Sequence, residues 1–326
     1  MIIVGCGDFL FGNVRYVVLW VARLAICCKK DYICCCLNVV WLLCEKETNK
    51  IKPNKTMKNL FTVEGKVIVI TGATGILGQS MVAHFAEQGA KVVILGRNAE
   101  VGLRQQEEAR AAGGEAMFLE CNVLDKAQLE KNYEAIMAAY GRIDVLINGA
   151  GGNQAAATVA PDKTIFDLDV DAVKQVVELN LFGTILPTMV FVKAMVEQKS
   201  GSIINIASEA ALRPLTRVAG YGVAKAAVIN WTKYMCGELA LKFGEGLRVN
   251  SVAPGFLLTN QNRDLLTNPD GSLTPRAETI IAHTPFKRFG EPEELLGTLQ
   301  WLASDASKFV TGTLTVVDGG FDAFSI

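Results

Sequence analysis

The sequence predicts an α/β fold: one doubly wound parallel sheet of seven strands, flanked by helices. Two observations carry that prediction. Short runs rich in Val, Ile and Leu alternate with helical patterns from Lys66 onward. Most of these runs are continuously apolar, as in strands covered on both faces. Strand–helix–strand order, repeated along the chain, then selects right-handed crossovers and a parallel sheet.

The elements follow in order. A first strand over 67–70 runs through a glycine-rich turn into a helix over 77–88, stopped by Gly89. Glycine just past a helix end supplies the left-handed conformation that closes the last turn. A second strand over 92–95 leads to a helix over 98–112. A third over 116–119 leads to a helix over 126–140, stopped by Gly141. The fourth strand, 145–147, precedes a long helix over 173–197, and the fifth, 203–206, precedes another over 223–243. Strands over 249–252 and 313–317 complete the set. No internal repeat or second boundary interrupts 57–326, which reads as one catalytic domain.

Composition adds outer bounds. The chain has 326 residues, 50% of them hydrophobic, enough to bury a sizeable core, and a net charge of -1. That charge lacks the clustered basic excess of a nucleic-acid footprint. Seven of the nine cysteines precede residue 45. The body, holding only Cys121 and Cys236, therefore reads as a reduced, cytoplasmic protein without a disulfide framework. Residues 1–56 differ in character, with 8 Lys+Arg against 4 Asp+Glu. Their apolar runs, 16–28 and 33–44, are shorter than the roughly 18 residues of a membrane span. This stretch reads as a non-domain extension, translated upstream of Met57, and no stable membrane association is expected. His84 and His283 are too far apart in sequence to suggest a metal site.

Chemistry concentrates at the strand ends. After the first strand, Gly72, Thr74, Gly75, Ile76, Leu77 and Gly78 form a G-x-x-G-x-x-G turn opening a helix. Such glycines let backbone approach a pyrophosphate, whose charge is met by the helix N-terminus. The second strand ends in Arg97 and Asn98, with no acidic residue to bond a ribose 2′-hydroxyl. Arg97 can pair instead with a 2′-phosphate, which favours NADP over NAD, or it is a solvated residue opening a helix. Tyr221 and Lys225 stand four apart, one helical turn, and Ser208 ends the fifth strand thirteen residues earlier. An unperturbed tyrosine, with a pKa of about 10, is a poor acid or base at neutral pH. A neighbouring ammonium favours the tyrosinate, so Lys225 is expected to lower the Tyr221 pKa and ready it for proton exchange with a substrate oxygen.

Taken together these residues resemble the short-chain dehydrogenases/reductases over essentially all of 60–326. The resemblance includes the glycine turn, Asn148-Gly149-Ala150-Gly151 after the fourth strand, Asn180, Ser208, Tyr221, Lys225, Pro254-Gly255 and Asp318-Gly319-Gly320. It implies a Rossmann-type fold, NAD or NADP as cofactor, Tyr221 as general acid/base and Ser208 as the group orienting a substrate carbonyl. It further implies that Lys225 holds the nicotinamide ribose and that Asn180 supports a water in the proton relay. Asn122, Val123, Asn148, Gly149, Ala150, Pro254 and Gly255 join the expected cofactor contacts. The chain departs from the family in a glycine turn one residue tighter, in Gly149 for a second Asn, and in Asn122 for an adenine-contacting Asp.

A closer resemblance, to the D-mannonate oxidoreductase (D-fructuronate reductase) subgroup, rests on stretches such as Gly151-Gly152-Asn153-Gln154 and Arg213-Pro214-Leu215-Thr216-Arg217. It implies a small sugar-acid substrate and a homotetramer. Arg213, Arg217 and Arg263 then become candidates to clamp a carboxylate, with Asn153 and Gln154 for hydroxyls, or else surface residues. A gluconate 5-dehydrogenase-like or other carbonyl reductase, and a non-catalytic cofactor sensor, stand as alternatives.

Overall fold

The chain alternates strand and helix through β1 (Val67–Thr71), α1 (Ile76–Glu87), β2 (Lys91–Gly96), α2 (Ala99–Ala111), β3 (Glu115–Glu120) and α3 (Lys126–Tyr140). It continues through β4 (Val145–Asn148), α4 (Val170–Val177), α5 (Gly183–Gln198), β5 (Gly201–Ile206), α6 (Ala219–Phe243) and β6 (Leu247–Pro254). It ends with α7 (Pro275–His283), α8 (Leu296–Ala303) and β7 (Leu314–Val317). The computed structural model describes residues 59–259 and 266–324. The expectations for residues 1–56 and for Arg263 lie outside the described residues.

All seven strands pair in parallel, in the order β3-β2-β1-β4-β5-β6-β7. Alternation along β1 shows why its run is continuously apolar. Ile68 and Ile70 enter a core with Phe85 and Leu299 on one face. Val67 and Val69 enter another with Phe191 and Leu239 on the opposite face. The outer strands β3 and β7 are only partly buried, because each has a partner on one side alone. The order reverses beside β1: the chain runs outward to β3, then crosses back to lay β4 on β1's other side. At such a switch point the following connections diverge and leave a crevice beyond the carboxyl ends of the strands.

Backbone at this crevice is very close. Gly72 lies at φ +67, and a Cβ there would stand 2.7 Å from the nitrogen and α-carbon of Ala150. Thr71 fastens the same junction, its Oγ1 accepting hydrogen bonds from the amides of Gly149 at 3.1 Å and Ala150 at 3.2 Å.

The structure corrects two helix assignments. The long helix expected over 173–197 is divided by a π-helical turn, Glu178–Phe182. Within it Asn180 uses its side-chain amide to bond the Val176 carbonyl at 2.8 Å, while Thr184 Oγ1 donates to the Asn180 carbonyl. Pro187 can donate no amide to the preceding turn. The run Val170–Gln198 is long and apolar enough to cross a membrane, yet Phe191, Ala194 and Met195 are buried in the sheet's core. The helix expected over 223–243 starts earlier, at Ala219. Gly220 and Gly222 weaken the local helix signal, but each lets neighbouring elements approach. A Cβ on Gly222 would lie 2.8 Å from the Ala210 carbonyl oxygen. The earlier start puts Tyr221 in the first turn.

Replacing Gly72 with Ala adds a left-handed strain and a backbone collision together, an expected loss of about 2–5 kcal/mol. Urea unfolding of Gly72→Ala and wild type measures it; a midpoint unchanged at equal m would show that the junction can open without cost.

Candidate active site

The crevice at the switch point is a cleft of about 550 Å³, within the range of small-molecule and cofactor sites. One side is the turn into α1, comprising Gly72, Thr74, Gly75, Ile76, Leu77 and Gly78. Gly75 caps that helix without any side-chain hydrogen bond, and the first turn carries no acidic residue. The first-turn amides are thus open to an anion at the positive end of the helix. Arg97 and Asn98 after β2, Asn122 and Val123 after β3, and Gly149 and Ala150 after β4 continue the wall. Pro254 and Gly255 close it at the end of β6, and Tyr221 and Lys225 stand inside it. This set fits a dinucleotide: amide donors for a pyrophosphate at one strand end, an elongated wall across four more, and a titratable pair at the inner end.

Asn148 is the exception among the expected cofactor contacts. It is buried under the cleft, its Nδ2 donating to Thr188 Oγ1 at 2.9 Å and Asn205 Oδ1 at 2.8 Å. Asn205 continues to Thr232 at 2.9 Å, so a buried polar chain ties β4 and β5 to α5 and α6. Asn122 uses its own Oδ1 to cap the turn at Leu124.

Lys225 is buried, with Nζ donating to the Ile206 carbonyl at 2.7 Å and lying 5.7 Å from the Tyr221 ring centre. Burial pulls its pKa down to about 8. Burial also pushes Tyr221 up, opposed by a hydrogen bond with Ser208. The lowering expected of Lys225 on Tyr221 is therefore not what the protein by itself displays. Desolvation of the phenolate outweighs the Ser208 hydrogen bond, while the Lys225 ammonium is turned toward the Ile206 carbonyl. Ser208 Oγ accepts from the Ala210 amide at 3.2 Å, at the head of the short turn Glu209–Ala211. Asn180 straps the loop after β4: its Nδ2 donates to the Gly152 carbonyl at 2.7 Å and its Oδ1 accepts the Gly152 amide at 3.1 Å. Gly151 is what lets these groups meet, since a Cβ there would come within 2.5 Å of Asn180 Oδ1 and 3.1 Å of Lys225 Nζ.

The expected substrate residues are more dispersed. Arg213 does not line the cleft. Its Nε donates to Asp322 Oδ1 at 2.9 Å and its terminal nitrogen to the Asp322 carbonyl. Asn153 bonds Thr158 Oγ1 at 3.2 Å within its own loop, and Gln154 ties that loop to α4 through the Ala172 carbonyl at 2.9 Å. Arg217 is exposed, in the left-handed region at φ +77. His84 bonds Gln300 at 2.8 Å, and His283 packs edge-on against Phe321.

Thr71, Gly152 and Glu209 belong to the site or its support and were given no site role from the sequence, where a threonine, a second glycine and an alanine-flanked glutamate carry no chemical signal of their own. Glu209 is the most unusual of them. It follows Ser208, is buried, and neither carboxyl oxygen has a hydrogen-bond partner. Burial, with Asp322 and Asp318 adding to it against Arg213, raises its pKa from 4.5 to about 7. The folded protein thus binds this proton up to about pH 7, whereas the unfolded chain releases it near 4.5. Between those values the native state holds more protons, so stability is greatest at the acid end and declines as pH rises. The decline attributable to Glu209 is up to about 3 kcal/mol, and Glu209→Gln should abolish it. Denaturant midpoints at pH 5 and pH 7.5 test this; identical pH slopes in the two proteins would refute it.

Comparison with known proteins agrees with this geometry. A family model described as enoyl-(acyl carrier protein) reductase matches residues 72–322. The uncharacterised oxidoreductase UxuB of Bacillus subtilis is 46% identical over 271 residues, covering 80% of this chain and 96% of the relative. A Haemophilus influenzae protein, provisionally assigned as a D-mannonate oxidoreductase and solved with bound NAD, is 40% identical with a TM-score of 0.77. That match covers 81% of this chain and 97% of the other. A gluconate 5-dehydrogenase of Burkholderia cenocepacia, solved with NADP and tartrate, is 30% identical with a TM-score of 0.73, over 82% and 98% of the two chains. With its parallel sheet, glycine turn and buried Tyr–Lys pair, the chain belongs to the short-chain dehydrogenase/reductase family of NAD(P)-dependent oxidoreductases.

Proposed function

We propose that this oxidoreductase interconverts a hydroxyl and a carbonyl on a small sugar acid, with D-mannonate and D-fructuronate as the foremost pair. The meeting of Tyr221, Lys225 and Ser208 at the inner end of a dinucleotide-sized cleft carries the chemistry. Similarity to the Haemophilus protein and to the Burkholderia gluconate 5-dehydrogenase supports a sugar acid. When bound, the nicotinamide supplies or accepts the hydride.

The protein's own residues manage the oxygen. Tyr221 donates its phenolic proton to the forming alkoxide in reduction and removes the hydroxyl proton in oxidation. Its raised pKa keeps that proton in place at neutral pH before substrate arrives. Ser208, with Oγ accepting from Ala210 and its hydroxyl hydrogen-bonded to Tyr221, stands beside the phenol, where the same hydroxyl orients the carbonyl. Lys225, anchored on the Ile206 carbonyl, presents its remaining donors toward Gly151 and the ribose position. Asn180 acts by holding the Gly152 loop against the pair. Arg97, exposed at the cleft edge, biases the choice of cofactor toward NADP. Exposed Met189, Tyr234 and Leu241 on α5 and α6 are consistent with the homotetramer that the subgroup implies.

An absorbance assay at 340 nm, pairing D-mannonate, D-fructuronate and D-gluconate with each cofactor, tests the substrate. Turnover confined to the first two is expected; turnover of D-gluconate alone would move the assignment to gluconate 5-dehydrogenation, and inactivity on all three would remove the sugar-acid reading. Tyr221→Phe should lose about 10²–10⁴ of kcat while still binding cofactor, and retained turnover would take Tyr221 out of the reaction. Arg97→Ala should raise KM for NADP by about 10–100-fold and leave that for NAD unchanged; equal effects on both would assign Arg97 to the surface alone.

A further inference from the structure

Two guanidinium groups gather where the loop ahead of α6 meets the start of α7. Arg276 Nη1 donates to Thr216 Oγ1 at 3.1 Å. The next residue, Arg217, lies one position before Val218, which caps the helix carrying Tyr221. Its carbonyl accepts the Val159 amide at 3.2 Å, which draws it against the loop that follows β4. Neither arginine is ion-paired to a carboxylate among the described residues. Arg213, four residues earlier, is by contrast fully engaged with Asp322.

Three unfavourable features coincide here. Arg276 occupies the first turn of α7, where the positive end of the helix repels a cation. Arg217 holds a left-handed backbone that a non-glycine residue enters only at a cost. Arg276, bonded to the residue beside Arg217, is half-buried, and burial and then the charge of Arg217 depress its pKa. An anion between the two groups relieves both electrostatic penalties at once. The planar forks supply paired donors matched to the two oxygens of a carboxylate.

We infer that Arg217 and Arg276 together form the site that receives the carboxylate of the substrate, at the approach to Tyr221. This rests on the sugar-acid reading and deepens it. Arg276 becomes a specificity-determining residue contributed by α7, and the clamp excludes Arg213. The enzyme then separates acids from uncharged polyols of the same hydroxyl configuration by charge, at a point removed from the reacting carbon.

The test uses the full chain loaded with NAD⁺. Arg276→Ala and Arg217→Ala should each raise KM for D-mannonate by about 30–100-fold. The kinetics of uncharged D-mannonamide and the Kd for NAD⁺ should stay within about twofold of wild type. Arg276→Lys, which keeps the charge without the fork, should fall between. Arg104→Ala, which removes a cation from the exposed face of α2, serves as the charge control and should change nothing. An unchanged KM for D-mannonate, or equal losses on the acid and the amide, would overturn the clamp. Should wild type turn over no sugar acid, the substrate reading fails while the anion site remains testable by calorimetry with tartrate. Tartrate bound by wild type and lost in Arg276→Ala supports the site; tartrate bound equally by both, or by neither, overturns it.

Discussion

The approach of two backbones beyond the carboxyl ends of β1 and β4 is the constraint on which the rest of the cleft depends. Gly72 nearly touches Ala150, and Thr71 holds the same loop through two amide hydrogen bonds. Reversal of strand order creates the crevice, but this contact sets its floor. From it the first turn of α1 is aimed at one half of the cleft and Gly151-Gly152 at the other. Side chains at either position would separate the strands, so small residues here are a packing requirement before they are a binding one.

Burial then governs the chemistry. A lysine and a tyrosine out of water both resist ionisation, so Lys225 moves down and Tyr221 moves up. The protein compensates with fixed dipoles rather than with counter-charges: the Ile206 carbonyl for Lys225, and the Ser208 hydroxyl for Tyr221. Their geometry is maintained at second hand. Within the π-helical turn, the Asn180 side chain bonds the Val176 carbonyl of its own helix and also fastens Gly152. The chain from Asn148 through Asn205 to Thr232 locks the strands beneath. Every member of these networks joins elements distant in sequence, which ties local positioning to the stability of the whole sheet.

A second polar region surrounds the end of β5. Glu209, Asp318, Asp322 and Arg213 form an acidic group with one compensating cation, directly behind Ser208. Arg217 and Arg276, farther along the same loop and at the start of α7, are two cations without a carboxylate partner among the described residues. The short loop between Ser208 and Tyr221 thus begins at the buried Glu209 and ends at the exposed Arg217.

The sequence by itself determined the parallel sheet, because continuous apolar runs such as 67–70 can be satisfied only when both faces are covered. It also marked the glycine turn and the Tyr221–Lys225 spacing, whose meaning lies in a few neighbouring positions. What it left undecided depends on contacts between distant segments. The start of α6 at Ala219 is set by close packing of Gly220 and Gly222 against other elements, where glycine otherwise argues against a helix. The π-helical turn holds an asparagine whose side chain reaches a loop 28 residues away. Arg213 and Arg217 look equivalent in sequence, yet Asp322, 109 residues on, engages the first, while the charge of the second acts on Arg276. The direction of the Tyr221 shift was likewise decided by the tertiary structure alone, because it follows from how far the fold desolvates a phenol that a sequence shows only beside a lysine.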